Sequence, residues 1–187
     1  MTSIPHSYAP SAPIHIFVGG LLDRSSHIVC NYRKIFRQKY RSHTTFYFEY
    51  DQCKEIIAAV LMARTADAAS SIKMIGHSWG AVTVINAANQ LAEKGITVEQ
   101  VITIDPVGRR RISVLANSSS WINVNAAPAT SNGWNGDYYA TLGGKWGDWP
   151  RDKASIHLWA PFHHNEFGGL LEFVALDGEC AFNCLVG

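Results

Sequence analysis

An α/β fold of three layers, with a mostly parallel sheet of about six strands between helices, is what this sequence predicts. Two observations carry that prediction. Short runs rich in β-branched and aromatic residues alternate with segments of helical periodicity along the chain, and such alternation implies parallel strands joined by helices that cover both faces. In addition, the apolar run 72–75 leads directly into Gly76-His77-Ser78-Trp79-Gly80 and then into a helix-like run of small and apolar residues. A strand turning abruptly into a helix lifts the central residue clear of the sheet, and the tightness of that turn demands very small residues two before and two after it.

The first 13 residues contain Pro5, Pro10 and Pro13, and no Lys/Arg-led apolar core, so 1–13 is expected to be irregular. It reads as neither a secretory signal nor a spanning helix, which makes the cytosol the default compartment and leaves export by a signal-independent route open. Residues 14–18 (Ile-His-Ile-Phe-Val) read as a buried strand stopped by Gly19-Gly20, and 44–50 as a second. Between them, Ile28, Val29, Tyr32, Ile35 and Phe36 recur at helical spacing while Arg33, Lys34, Arg37 and Lys39 fall largely on other faces. Asp51 is expected to cap a helix whose stripe is Cys53, Ile56, Ile57, Val60 and Leu61. The strand 72–75 enters the turn at Ser78, a helix follows over 81–94, and Gly95 stands where a helix C-terminus would place it. Residues 98–104, 121–125 and 155–159 complete the strands, and 166–176 is expected to be a closing helix.

At 187 residues the chain fits one domain with its own core. With 47% apolar residues, 17% charged residues and a net charge of +1, it carries no overall pull toward nucleic acid. Four cysteines are few, those at 30 and 53 fall in helical patterns that favour free thiols, and no Cys-x-x-Cys or His pair stands at ligand spacing to partner Cys180 and Cys184, so no metal is expected.

A serine hydroxyl is a weak nucleophile until a base takes its proton, and an imidazole backed by a carboxylate does so near neutral pH. Asp105 ends the strand 98–104 and precedes Pro106, and His164 follows the last strand in the same way. Both therefore fall at the carboxyl edge of the sheet, where ligands bind in such folds.

The chain order Ser78, Asp105, His164 resembles the α/β-hydrolase superfamily, and specifically its serine lipases and esterases, over roughly residues 14–176. The most specific stretches are Gly76-His77-Ser78-Trp79-Gly80 and Thr103-Ile104-Asp105-Pro106-Val107-Gly108, the latter similar to the Asp-Pro acid position of pancreatic-type lipases. Most members place the acid after a later strand, and Asp137 is the alternative there. His163 is likewise the alternative to His164 as base. His157 reads as a packed or surface histidine and His77 as a packed one. The resemblance implies that Trp79 and either Gly20 or Leu21 supply the amides of an oxyanion hole, and that no organic cofactor is needed.

The segment 127–153 is long for a connection and bears Trp134, Tyr138, Tyr139, Trp146 and Trp149. It is expected to wall the substrate site with aromatic surface, with Trp134, Tyr138, Trp146 and Trp149 as binding residues, or else to fold back as an irregular packed flap. Arg109-Arg110-Arg111 and the basic face of the first helix are candidates for anion or peripheral membrane contact. The expected activity is cleavage of a small-molecule or lipid carboxylic ester. Thioesterase, phospholipase-type effector, and non-catalytic binding protein on the same scaffold are the alternatives.

Overall fold

The computed structural model describes residues 11–114, 119–130 and 136–186. Six strands form one sheet in the order β2-β1-β3-β4-β5-β6, every neighbouring pair parallel. They are β1 Ile14–Val18, β2 Thr44–Phe48, β3 Ile72–His77, β4 Gln100–Ile104, β5 Ser120–Ala126 and β6 Ile156–Ala160. The main helices are α2 Ile28–Lys39, α3 Cys53–Ala66 and α4 Trp79–Ala92, with shorter α1 Asp23–Ser26, α5 Asp137–Leu142, α6 Phe167–Glu172 and α7 Ala181–Val186.

Two apolar layers separate the sheet from its helices. One gathers Ile14, Ile16, Val18, Met74 and Val101 with Ile56, Val60, Val84 and Leu91, and so joins one sheet face to α3 and α4. The other gathers Phe17, Ile75, Ile102 and Val124 with Val29, Phe36, Leu170 and Leu185, joining the opposite face to α2, α6 and α7. Strands β1, β3 and β4 are buried throughout, as expected of central parallel strands covered on both sides. The three-layer α/β/α arrangement with six strands is the one expected.

β1 pairs with both β2 and β3, so the chain first winds outward and then returns past its start. A crevice opens where that winding reverses, between the carboxyl ends of β1 and β3, and this is where open parallel sheets place their ligands. Gly19, Gly20 and Ser78 stand at those two ends.

Several local expectations change. Gln52, not Asp51, occupies the N-cap position of α3, and it makes no side-chain cap hydrogen bond. Asp51 instead receives Arg24 Nη2 at 2.8 Å, a charge-assisted bond that competes with capping. The closing helix stops at Glu172 rather than 176, because Val174 bridges Cys180 and the chain turns into α7. Gly95 takes a positive φ of 74° after α4, with Ile96 N donating to Leu91 O at 2.9 Å, the left-handed stop expected of it. Among the described residues no helix is long and apolar enough to cross a membrane.

Candidate active site

β3 ends at His77 and α4 begins at Trp79, so Ser78 alone makes the turn, with φ 56° and ψ −122°. A non-glycine residue held there is strained. What holds it is pairing on both sides: Ser78 N donates to Ile104 O at 2.9 Å, while Ala81 N and Val107 N donate to Ser78 O at 3.1 and 3.2 Å. The flanking glycines are required by contact. A Cβ on Gly76 would run into the backbone of Gly80 and Ala81, and one on Gly80 would lie 2.5 Å from Val18 O. A Cβ on Gly20 would lie 2.7 Å from that of Ser78, so the loop after β1 presses its backbone against the serine.

Asp105 follows β4 in a second left-handed position, φ 42°, with its N–H on Val124 O at 2.7 Å. His164 sits in the loop between β6 and α6. The three residues join in a line: Ser78 Oγ lies 3.0 Å from His164 Nε2, and His164 Nδ1 lies 2.7 Å from Asp105 Oδ2. With Nδ1–H donating to the carboxylate, Nε2 is the acceptor of the serine proton. Asp105 is wholly buried and accepts Ala126 N–H at 2.9 Å through Oδ1, which also faces Lys145 Nζ at 3.0 Å. Burial pushes the Asp105 carboxyl up. The hydrogen bond and charge of His164, the Lys145 ammonium and the Ala126 amide outweigh that, leaving it below the ordinary carboxylate value.

The alternatives do other work. Asp137 Oδ2 meets His163 Nδ1 at 2.6 Å and its Oδ1 accepts His164 N–H at 2.9 Å, so this carboxylate clamps the loop rather than touching the His164 ring. Glu166 accepts His163 N–H at 2.7 Å. His77 donates Nε2–H to His164 O at 2.7 Å, its ring 4.6 Å from that of His164. Burial, reinforced by the neighbouring His164, lowers His77 to about 4, so it stays neutral and holds the backbone of His164. Asp23 braces the loop after β1: it accepts Val29 N–H at 2.9 Å and the Tyr47 hydroxyl at 2.6 Å.

A cavity of about 520 Å³ opens over Ser78 and His164. Gly20, Leu21 and Trp79 line it, joined by Leu22, Val107, Tyr139 and Gly143. Trp79 heads α4, so its amide has no acceptor within the helix. The aromatic segment behaves differently from expectation. Trp146 and Trp149 pack into the apolar layer with Trp121, and the Trp146 indole N–H is taken by Gly108 O at 2.9 Å. Tyr138 and Tyr139 are both exposed, and of the two only Tyr139 borders the cavity. Trp134 lies outside the described residues. The expected aromatic wall is thus largely a packed flap, because large apolar rings gain more from burial in the core than from lining an open cavity. Arg109, Arg110 and Arg111 are exposed and do not line this cavity. Among the described residues no three His, Cys, Asp or Glu side chains group as metal ligands.

Sequence reasoning missed Lys145 and Asp23, and it named Tyr139 in the aromatic segment without counting it among the binding residues. Tyr139 stood beside Tyr138 in the same stretch, but nothing in a sequence shows which of two adjacent tyrosines borders the cavity.

Neither a family model nor a curated protein is matched by the sequence. Solved structures do match. A protein of unknown function from Agrobacterium tumefaciens, proposed as an α/β hydrolase, is similar at 19% identity and a TM-score of 0.57, over 87% of this chain and 81% of that one. A proposed cell-surface hydrolase from Lactobacillus plantarum is similar at 10% identity and a TM-score of 0.56, over 81% of this chain and 82% of that one. The chain shares the α/β-hydrolase fold.

Proposed function

We propose that the protein is a serine hydrolase of carboxylic esters, with Ser78 as nucleophile, His164 as general base and acid, and Asp105 as the carboxylate behind the base. The hydrogen-bonded line from Ser78 Oγ through the His164 ring to Asp105 carries this reading. Ser78 Oγ attacks the ester carbonyl while His164 Nε2 takes its proton. The imidazolium formed is stabilised by Asp105, which also fixes the tautomer that leaves Nε2 free. The oxyanion is received by the amides of Trp79 and of Gly20 or Leu21, worth about 3 kcal/mol per donor. His164 then protonates the leaving alcohol, and water repeats the sequence on the acyl-enzyme to release the acid and restore Ser78. The strained backbone at Ser78 supports the reading, since such strain concentrates at functional sites.

The cavity's largely apolar lining of Leu21, Leu22, Ile28, Trp79, Val107 and Ala140 favours an ester with an apolar acyl group. The same chemistry accepts thioesters and phospholipid acyl esters. A fluorophosphonate probe tests the nucleophile: it should label the wild type and leave Ser78→Ala unlabelled. A wild type that stays unlabelled, and that turns over no p-nitrophenyl ester from acetate to laurate, sinks the reading in favour of a ligand-binding protein.

A further inference from the structure

Asp105 has a second side-chain partner besides His164, and this one is a cation. Lys145 Nζ lies 3.0 Å from Oδ1, the oxygen turned away from His164, and also donates to Ala126 O at 2.8 Å. Asp105 is wholly buried and the lysine side chain only 20% exposed, so solvent screens this pair far less than a surface ion pair.

The ammonium is delivered by construction. Val107 and Lys145 form an antiparallel bridge, Gly108 N donates to Gly144 O at 3.0 Å, and Trp146 N donates to Pro106 O at 3.0 Å. The buried Trp146 ring, with its N–H on Gly108 O, fixes the residue next to the lysine. The chain just after Asp105 therefore folds back on the segment that carries Lys145. This is unlike a surface lysine that finds a carboxylate by chance.

We propose that Lys145 is a positioning residue of the hydrolytic site: its ammonium keeps Asp105 ionised and in one orientation, and offsets part of the negative charge that Asp105 presents to His164. The proposal rests on the hydrolase reading. Its consequence is that Ser78 keeps a proton acceptor into more acidic solution than a carboxylate and imidazole alone would allow. With the ammonium removed, the whole charge of a buried carboxylate favours the protonated pair, which then takes up its proton at higher pH. The other titratable groups around the pair are His77 from β3, Asp137 from the start of α5, His163 and Glu166 from the same loop, and Asp23, whose charge reaches His77. All of them remain when position 145 changes, so the substitution isolates the ammonium.

The test compares Lys145→Met and Lys145→Gln with the charge-keeping Lys145→Arg. In the two neutral variants the acid limb of kcat/KM for a soluble p-nitrophenyl ester should move up by about one pH unit, and in the arginine variant it should stay with the wild type. Thermal unfolding gives a readout that needs no substrate. The Tm gap between wild type and Lys145→Met should be full near neutral pH and close in the acid range, where Asp105, lacking the ammonium, takes a proton. A lysine that merely packs would leave the same gap at every pH. An unmoved acid limb in either folded neutral variant, or a gap independent of pH, overturns the proposal. Neutral variants that fold only in acid support it, and variants unfolded at every pH count against it. If the wild type hydrolyses no ester, the activity arm condemns the hydrolase reading while the Tm arm still judges the Lys145–Asp105 coupling.

Discussion

Two histidines stand side by side at 163 and 164, and the backbone sends their rings to different carboxylates. Only the His164 ring reaches both Ser78 and a buried acid, so His164→Ala is expected to lower kcat about 10³-fold or more, while His163→Ala stays within about tenfold of the wild type. The acids separate in the same way. Asp105→Asn forces an amide against His164 Nδ1, favours the wrong tautomer and should cost about 10⁴-fold. Asp137→Asn still offers an oxygen to His164 N–H and should cost less than about tenfold. Turnover of a p-nitrophenyl ester by the four variants checks the assignment, and a large loss in Asp137→Asn with a small one in Asp105→Asn would move the acid to α5.

At the scale of elements, the strand-turn-helix unit β3-Ser78-α4 depends on how closely it is packed against β1. A methyl group at Gly76 meets backbone atoms of Gly80 and Ala81, which cannot swing aside as a side chain could. Gly76→Ala is therefore expected to destabilise by about 2–4 kcal/mol and to lose turnover. Gly95, at φ 74° with open space around it, provides the contrast: Gly95→Ala should cost about 1 kcal/mol from backbone conformation and leave turnover intact. Urea midpoints and ester turnover of the two variants check this, and a Gly76→Ala protein as stable as the wild type would refute the close approach. The same element explains what was legible in the sequence. An apolar run, two glycines and a serine at fixed spacing report a local geometry, and Asp105 and His164 reveal themselves by following strands. Lys145 gives no such signal, because its partnership depends on a bridge to Val107 across a stretch with no periodicity. Trp146 and Trp149 mislead for a related reason: aromatic residues between glycines look the same whether they wall a cavity or close a core. The helices α1, α5 and α7 span only four to six residues, too few turns for an apolar stripe to repeat.

Across the whole molecule, two buried histidines link folding to pH. His15 on β1 is wholly buried, with Nε2–H on Leu185 O at 2.9 Å, and so helps fasten α7 to the sheet. Burial is the main cause that lowers it from an ordinary 6.5 to about 4, and burial with the adjacent His164 does the same to His77. Above pH 6.5 both rings are neutral whether the chain is folded or not, and the folded state loses nothing. As the pH falls from 6.5 toward 4, the unfolded chain binds protons that the folded chain resists, so stability drops across that window and this contribution levels off below about 4. Each ring is worth about 3 kcal/mol by its shift, and the two together are comparable to the whole margin of a small domain. Asp105, held below the ordinary carboxylate value, contributes in the same direction: its stabilisation is present above the unfolded carboxylate value and is lost as it protonates in stronger acid. Urea midpoints should therefore fall as the pH drops from 6.5 to 4.5, and His15→Asn, which no longer titrates, should show a distinctly shallower slope. A stability profile flat across this window would mean that the two rings are far more accessible to protons than their burial implies.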